Sequence, residues 1–240
     1  LINVAKKINI PTLGFMDHWK GFDRLFNDRS EPIYCPDWLG VIDESCADEL
    51  RNIKITSYIK SVGHPFLESL INNKVSTLKN NRVLFVSQPE VSKNSFNSLF
   101  LTKFKQSNLL KILECIVRNI LPDSQVYYRP HPKETLNMDI NSSITIDNSS
   151  KPELFSNFDT FIGFNSMLLL EARVSGAKSI SIRFPELNYV YDDEISGSFG
   201  INVNNLAEFE DTLNGKITDT KFSINSFENS SENCLNLIQS

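Results

Sequence analysis

Apolar residues in this chain fall into short continuous runs, and between them lie stretches with the spacing of amphipathic helices. In the first third, residues 12–16, 38–42 and 59–62 read as short strands. A helix is predicted to start at Asp43-Glu44-Ser45 and another to cover 66–71, after the Gly63-His64-Pro65 stop. Residues 1–7 read as the last turns of an amphipathic helix. A helix that opens a chain without a cap suggests a fragment or an incomplete gene model.

Residues 72–81 are polar and form a predicted linker. Beyond it the alternation becomes regular. Strands are predicted at 82–87, 125–129, 143–146, 160–164 and 179–182, and helices at 109–119, 152–158 and 166–175. Gly176 suits a left-handed C-terminal cap for the last of these helices. Near-continuous apolar strands alternating with helices predict an α/β fold with a parallel sheet covered on both faces. The expected division is a partial N-terminal α/β domain at 1–75 and a C-terminal domain at 80–240. Asn and Ser crowd residues 223–240, which read either as a final helix or as a loose tail.

Composition narrows the function classes. The 240 residues carry 24 basic and 29 acidic side chains, a net charge of −5. That balance speaks against a protein whose main task is coating nucleic acid or an anionic membrane. No run of 18 or more apolar residues predicts a membrane span, which leaves peripheral membrane association open. Cys35, Cys46, Cys115 and Cys234 form no C-x-x-C pair and only three histidines are present, so no metal site is expected. Scattered thiols fit a reducing cytoplasm, at most at the inner face of the membrane.

In a parallel sheet, ligands bind outside the carboxyl ends of the strands, so polar residues after each strand are the candidates. Asn165-Ser166 sits between a strand and a helix. Ser166 either simply caps that helix or helps present its first amides to a phosphate. Glu171 lies further along the same helix among apolar neighbours. It is either a solvated outer-face residue or, if buried, a partner for two sugar hydroxyls. Arg129-Pro130-His131-Pro132 follows a strand directly; the prolines stiffen the loop and Arg129 offers a fork suited to phosphate. Asp17-His18 ends the first strand, and His18 is either a general base oriented by a carboxylate or a surface residue beside Trp19. His64 reads as structural. The chain lacks G-x-G-x-x-G, a P-loop, G-x-S-x-G and H-E-x-x-H, which removes support for classical dinucleotide enzymes, P-loop NTPases, hydrolases with a nucleophile elbow and zincins.

The order of these motifs resembles the C-terminal half of GT-B glycosyltransferases. The residues that carry the resemblance are VGHPFLE at 62–68, RVLFVS at 82–87, RPHP at 129–132, FDTFIGFNSMLLLEA at 158–172 and Gly176-Ala177. Bacterial capsule, teichoic-acid-type and sialyltransferase-like enzymes are similar, with an HP motif and a Ser-bearing helix start; they often carry Ser-Ser or Ser-Thr where this chain has Asn165-Ser166. The resemblance implies two Rossmann-like domains with the donor nucleotide in the C-terminal one. It implies that Arg129, His131, Asn165 and Ser166 hold the nucleotide phosphates and that Glu171 binds ribose. Asp17 and His18 would serve as the base on the acceptor side. The implied reaction moves a sugar, or a sugar-like phosphate unit, from a CMP, CDP or UDP donor to a glycan or lipid-linked acceptor in surface polysaccharide (capsule-type) synthesis. No cofactor and no metal are implied. An isomerase of the UDP-N-acetylglucosamine 2-epimerase type and a non-catalytic nucleotide-binding domain are the rival expectations.

Overall fold

The computed structural model describes residues 2–17, 19, 35–53, 55–73, 81–87, 106–132, 144–185, 199–218 and 227–239. The chain divides into two compact units, one made of Leu1–Asn72 with Ser223–Ser240 and the other of Asn73–Phe222.

The first unit holds a parallel sheet in the order β1 (Leu13–Phe15), β2 (Trp38–Val41), β3 (Tyr58–Ser61). Helix α1 (Ile2–Lys7) precedes it, α2 (Glu44–Asn52) links β2 to β3, and α3 (Pro65–Asn72) follows. Asp43 sets the start of α2. Its Oδ1 accepts from the Cys46 amide at 2.8 Å, and its Oδ2 accepts from Trp19 Nε1 at 2.5 Å. Burial, with Asp43 and Glu49 adding to it, pushes the Cys46 thiol up to about 12, so it is an inert packing group. All four cysteines are free thiols.

The sequence-based division placed 223–240 in the second domain, and the structure corrects this. The final helix (Ser230–Gln239) packs on α3 in the first unit. Ser230 Oγ accepts from the His64 amide at 2.8 Å and donates to the Phe227 carbonyl at 2.6 Å. Glu68 accepts from the Ser231 amide at 2.9 Å and from its hydroxyl. Leu237 is buried. A few polar bonds and one apolar side chain, made across the length of the chain, are not visible as local pattern.

Among the described residues the second unit holds a six-stranded, all-parallel sheet. In chain order its elements are β4 (Arg82–Val86), α4 (Gln106–Ile120), β5 (Gln125–Arg129), β6 (Thr145–Ile146), α5 (Lys151–Asn157) and β7 (Thr160–Gly163). Then come α6 (Met167–Ser175), β8 (Lys178–Ile182), β9 (Ile201–Val203) and α7 (Leu206–Leu213), and the helix of the first unit is therefore α8. The spatial order β6-β5-β4-β7-β8-β9 is that of a Rossmann-type sheet, with the reversal between β4 and β7. Alternate residues of each strand face opposite layers. Val83, Phe85, Ile162, Ile180 and Ile182 share one core with Leu113 and Val117 of α4 and Phe209 of α7. On Phe161, from the intervening positions, Phe155 stacks at 6.1 Å and Phe158 meets it edge-on at 6.0 Å. Gly176 closes α6 at φ 100°, the left-handed conformation its position predicted. β9 and α7 are additions to the elements read from sequence.

Candidate functional site

The reversal in strand order opens a crevice at the carboxyl edge between β4 and β7. Gly163 ends β7 there, and a Cβ on it would lie only 3.0 Å from the Val86 carbonyl oxygen, so a glycine keeps the two strands close. The chain then runs through Phe164 and Asn165 to Ser166. The buried Ser181 hydroxyl donates to the Phe164 carbonyl at 2.5 Å, which fixes the path of the turn from the neighbouring strand. Ser166 is the N-cap of α6, its Oγ accepting from the Leu168 amide at 3.3 Å. The cap is real, and it aims the start of a nine-residue helix at the crevice.

Glu171 lies in α6, not on a solvated face: only 6% of its side chain is exposed. Its Oε1 accepts from Lys151 Nζ at 2.9 Å. Lys151 starts α5, and the turn before it is held from several sides. Arg129, the last residue of β5, donates from Nη1 to Asp147 Oδ2 at 2.5 Å and to the Ser149 carbonyl at 3.0 Å. Asp147 Oδ1 accepts from the Ser149 amide at 3.2 Å and from its hydroxyl at 2.5 Å. Glu153 reaches back to the Ser150 amide at 2.9 Å and hydroxyl at 2.7 Å. Arg129 and Glu171, read from sequence as separate candidates, thus grip the two ends of one five-residue segment, 147–151.

Nη1 of Arg129 is committed to that segment, while Nε and Nη2 make no hydrogen bond among the described residues. The guanidinium keeps donors for a second anion on its other edges. His131 follows in a partly buried loop position. β5, β4 and β7 are in register, with Val86 opposite Arg129 and Phe85 opposite Ile162. Arg129 and the start of the β7 turn are therefore two strand spacings apart, about 10 Å.

Sequence reasoning missed Asp147, Ser149 and Lys151. The signal was available, because Asp147 is the polar residue directly after a predicted strand, the position already used to pick out Arg129. Arg183, which follows β8 directly, is also buried at this edge. Of the acceptor-side pair, Asp17 is exposed in the first unit, and His18 lies outside the described residues.

No known family matches the chain by sequence, and no curated protein does. Solved structures do. The UDP-GlcNAc 2-epimerase from Methanocaldococcus jannaschii is similar over 99% of this chain and 72% of its own, with TM-score 0.62 and 16% identity. The same enzyme in complex with UDP-GlcNAc and UDP gives TM-score 0.62 at 15% identity, over 99% and 71%. This fold is GT-B. A GT-B assignment agrees with the motif order from 62 to 177 and with the Rossmann-type strand order of the second unit. Arabidopsis thaliana UGT89C1 also matches, at TM-score 0.48 and 11% identity over 98% of this chain and 68% of its own. Among the described residues no helix is long and apolar enough to cross a membrane.

Proposed function

We propose that this chain binds a nucleotide-activated sugar at the carboxyl edge of its second unit and acts as a GT-B glycosyltransferase. The observation that supports this best is the placement of Arg129, the capped start of α6 and the buried Glu171 along one sheet edge. Two sets of anion donors from strand ends about 10 Å apart, one of them carried on a long arginine side chain, suit a nucleoside diphosphate better than an isolated phosphate. The buried Glu171 carboxylate, further along α6, offers acceptors to ribose hydroxyls. In the proposed reaction the acceptor hydroxyl loses its proton to His18, with Asp17 beside it, and its oxygen attacks the anomeric carbon. The bond to the donor phosphate breaks, and the charge left on that phosphate is met by the α6 amides and Arg129. His131 and Asn165 line the same phosphate subsite. The acceptor is a glycan or a lipid-linked glycan, the pathway is surface polysaccharide synthesis, and the setting is the cytoplasm at or near the membrane. The donor base, uracil or cytosine, is the variable that a binding screen resolves.

A second reading, an isomerase acting on the nucleotide sugar itself, is favoured by the TM-score of 0.62 with a UDP-GlcNAc 2-epimerase. One experiment separates the two. The protein is incubated with UDP-GlcNAc alone, and with CMP- and UDP-sugars plus oligosaccharide acceptors, and products are resolved by mass spectrometry and NMR. Acceptor-dependent release of nucleotide supports transfer. A C2 epimer formed without acceptor supports the isomerase. Nucleotide binding without either product identifies a binding domain. For the transferase, His18→Ala lowers turnover about a hundredfold or more with donor affinity retained; turnover within a few-fold of wild type removes His18 as the base.

A further inference from the structure

The opposite, amino edge of the same sheet carries a second cavity, of about 530 Å³. That volume lies within the range of small-molecule sites. Its floor is the starts of β4, β7 and β8, and its wall the turn between α4 and β5. β4 is five residues long, so this cavity and the carboxyl-edge crevice are separated by roughly 15 Å of strand.

Two polar side chains of its lining have donors to offer. Ser124 is 6% exposed and lines the cavity, and its Oγ has no hydrogen-bond partner among the described residues. A buried hydroxyl left in this state is costly. Lys178 also lines the cavity, its Nζ donating to the Thr212 carbonyl at 3.1 Å. No carboxylate pairs with that ammonium among the described residues, and burial holds it below the usual lysine range. Ile120, Leu121 and Leu213 supply an apolar wall.

The remaining charged groups set the limit on ligand charge. Arg82 is turned to other work, its Nε donating to Gln125 Oε1 at 3.3 Å and its guanidinium lying 5.8 Å from the Tyr127 ring centre. Asp159 accepts from the Arg82 amide at 3.1 Å, and Asp123 is exposed at the rim. Two carboxylates against two cations disfavour a dianion.

We propose that this amino-edge cavity is a binding site, distinct from the nucleotide crevice, for a small monocarboxylate with an apolar body. The carboxylate accepts from Lys178 Nζ and Ser124 Oγ, and the body covers Ile120, Leu121 and Leu213.

The test uses the whole chain and three probes: 4-phenylbutyrate, phenyl phosphate and the uncharged 4-phenylbutanol. Titration is followed by calorimetry and by NMR. The carboxylate binds with Kd about 1 mM or tighter, the phosphate more weakly, and the alcohol at least about tenfold more weakly. Lys178→Met weakens the carboxylate about tenfold and leaves the alcohol unchanged; Ser124→Ala weakens it about threefold or more. Each variant is checked by thermal melting to retain the wild-type fold. Glu171→Gln, at the other edge, leaves carboxylate binding unchanged. The proposal is overturned if no probe binds below about 10 mM, or if the alcohol or phosphate matches the carboxylate. It also falls if Lys178→Met and Ser124→Ala both bind like wild type, or if Glu171→Gln abolishes binding.

Discussion

Lys151 Nζ and Glu171 Oε1 are 2.9 Å apart, yet their side chains are 51% and 6% exposed. The carboxylate has left water and the ammonium has not. Such a pair is held by the needs of the buried member, which must keep donors around it. Lys151 is readily solvated when it leaves and Glu171 is not, so the carboxylate gives up this ammonium only in exchange for other donors. That asymmetry makes Glu171 a fixed acceptor whose donors are exchangeable.

If ribose hydroxyls are those donors, Glu171→Gln weakens nucleotide binding about tenfold to a hundredfold, the range for hydrogen bonds to a charged group. Binding of inorganic pyrophosphate changes by less than about threefold. Calorimetry with UMP, UDP, CMP and CDP against pyrophosphate measures both. Equal losses for nucleotide and pyrophosphate would sink the ribose role.

Arg129 has a structural duty besides any phosphate. Its partner Asp147 has a side chain only 4% exposed. Arg129→Met strands that carboxylate and costs about 3 kcal/mol of stability. Arg129→Met combined with Asp147→Leu recovers most of the loss, because no charge is left behind. Urea denaturation of the two variants checks this; equal losses in the single and the double variant would contradict it.

The docking of α8 is pH-dependent. Hydrogen bonds from the Ser231 hydroxyl and amide hold the Glu68 carboxyl below the usual glutamate range. A lowered folded-state value means stability that is fully present above the unfolded value of about 4.5 and is lost as pH falls through the folded one. The urea midpoint of the first unit therefore drops as the solution is acidified below about pH 4.5, and Glu68→Gln removes that component of the slope. A wild-type and a Gln variant with parallel pH profiles would refute the assignment.

Gly63 sits at φ 83°, and a Cβ there would lie 2.1 Å from Ser230 Oγ. Gly63→Ala combines a left-handed backbone with a clash on the residue that anchors α8. It destabilises the first unit by about 2 kcal/mol or more. Hydrogen exchange then rises in α8 and α3 while β4, β7 and β8 keep their protection. Uniform protection across both units in the variant would overturn the prediction.

What the sequence made legible is what repeats locally. RVLFV and TFIG are mostly apolar runs too short for helices and KSISI alternates Ser with Ile, and they are β4, β7 and β8. Ser166 and Gly176 bracket α6 because cap chemistry is local. β9 escaped because Ile201–Val203 is three residues long and its middle residue, Asn202, is polar. α7 was within reach: Asn205 caps it, accepting from the Glu208 amide at 2.9 Å, and Phe209 and Leu213 face the core at helical spacing. The position of Asp147 after a strand marked it as a site residue, but its pairing with Arg129, like that of Lys151 with Glu171, was out of reach for a different reason. Asp147 is 18 residues from Arg129 and Lys151 is 20 from Glu171, and only the order of strands brings them together. Burial of Glu171 follows from the layer its helix covers, which periodicity on a mostly apolar helix does not reveal.

The return of the chain to its first unit has a consequence for biosynthesis. Ser230, which holds the His64 amide, is 166 residues downstream of it. Everything in the Asn73–Phe222 unit is translated before that contact can form. The second unit emerges as one unbroken stretch and is free to fold on the ribosome. The first, although begun earlier, waits with the α3 surface bare until α8 has been made. A chaperone that shields apolar helix faces would therefore act on the earlier-made half of this protein, and a stop codon before α8 would harm the part of the molecule most distant from it in sequence.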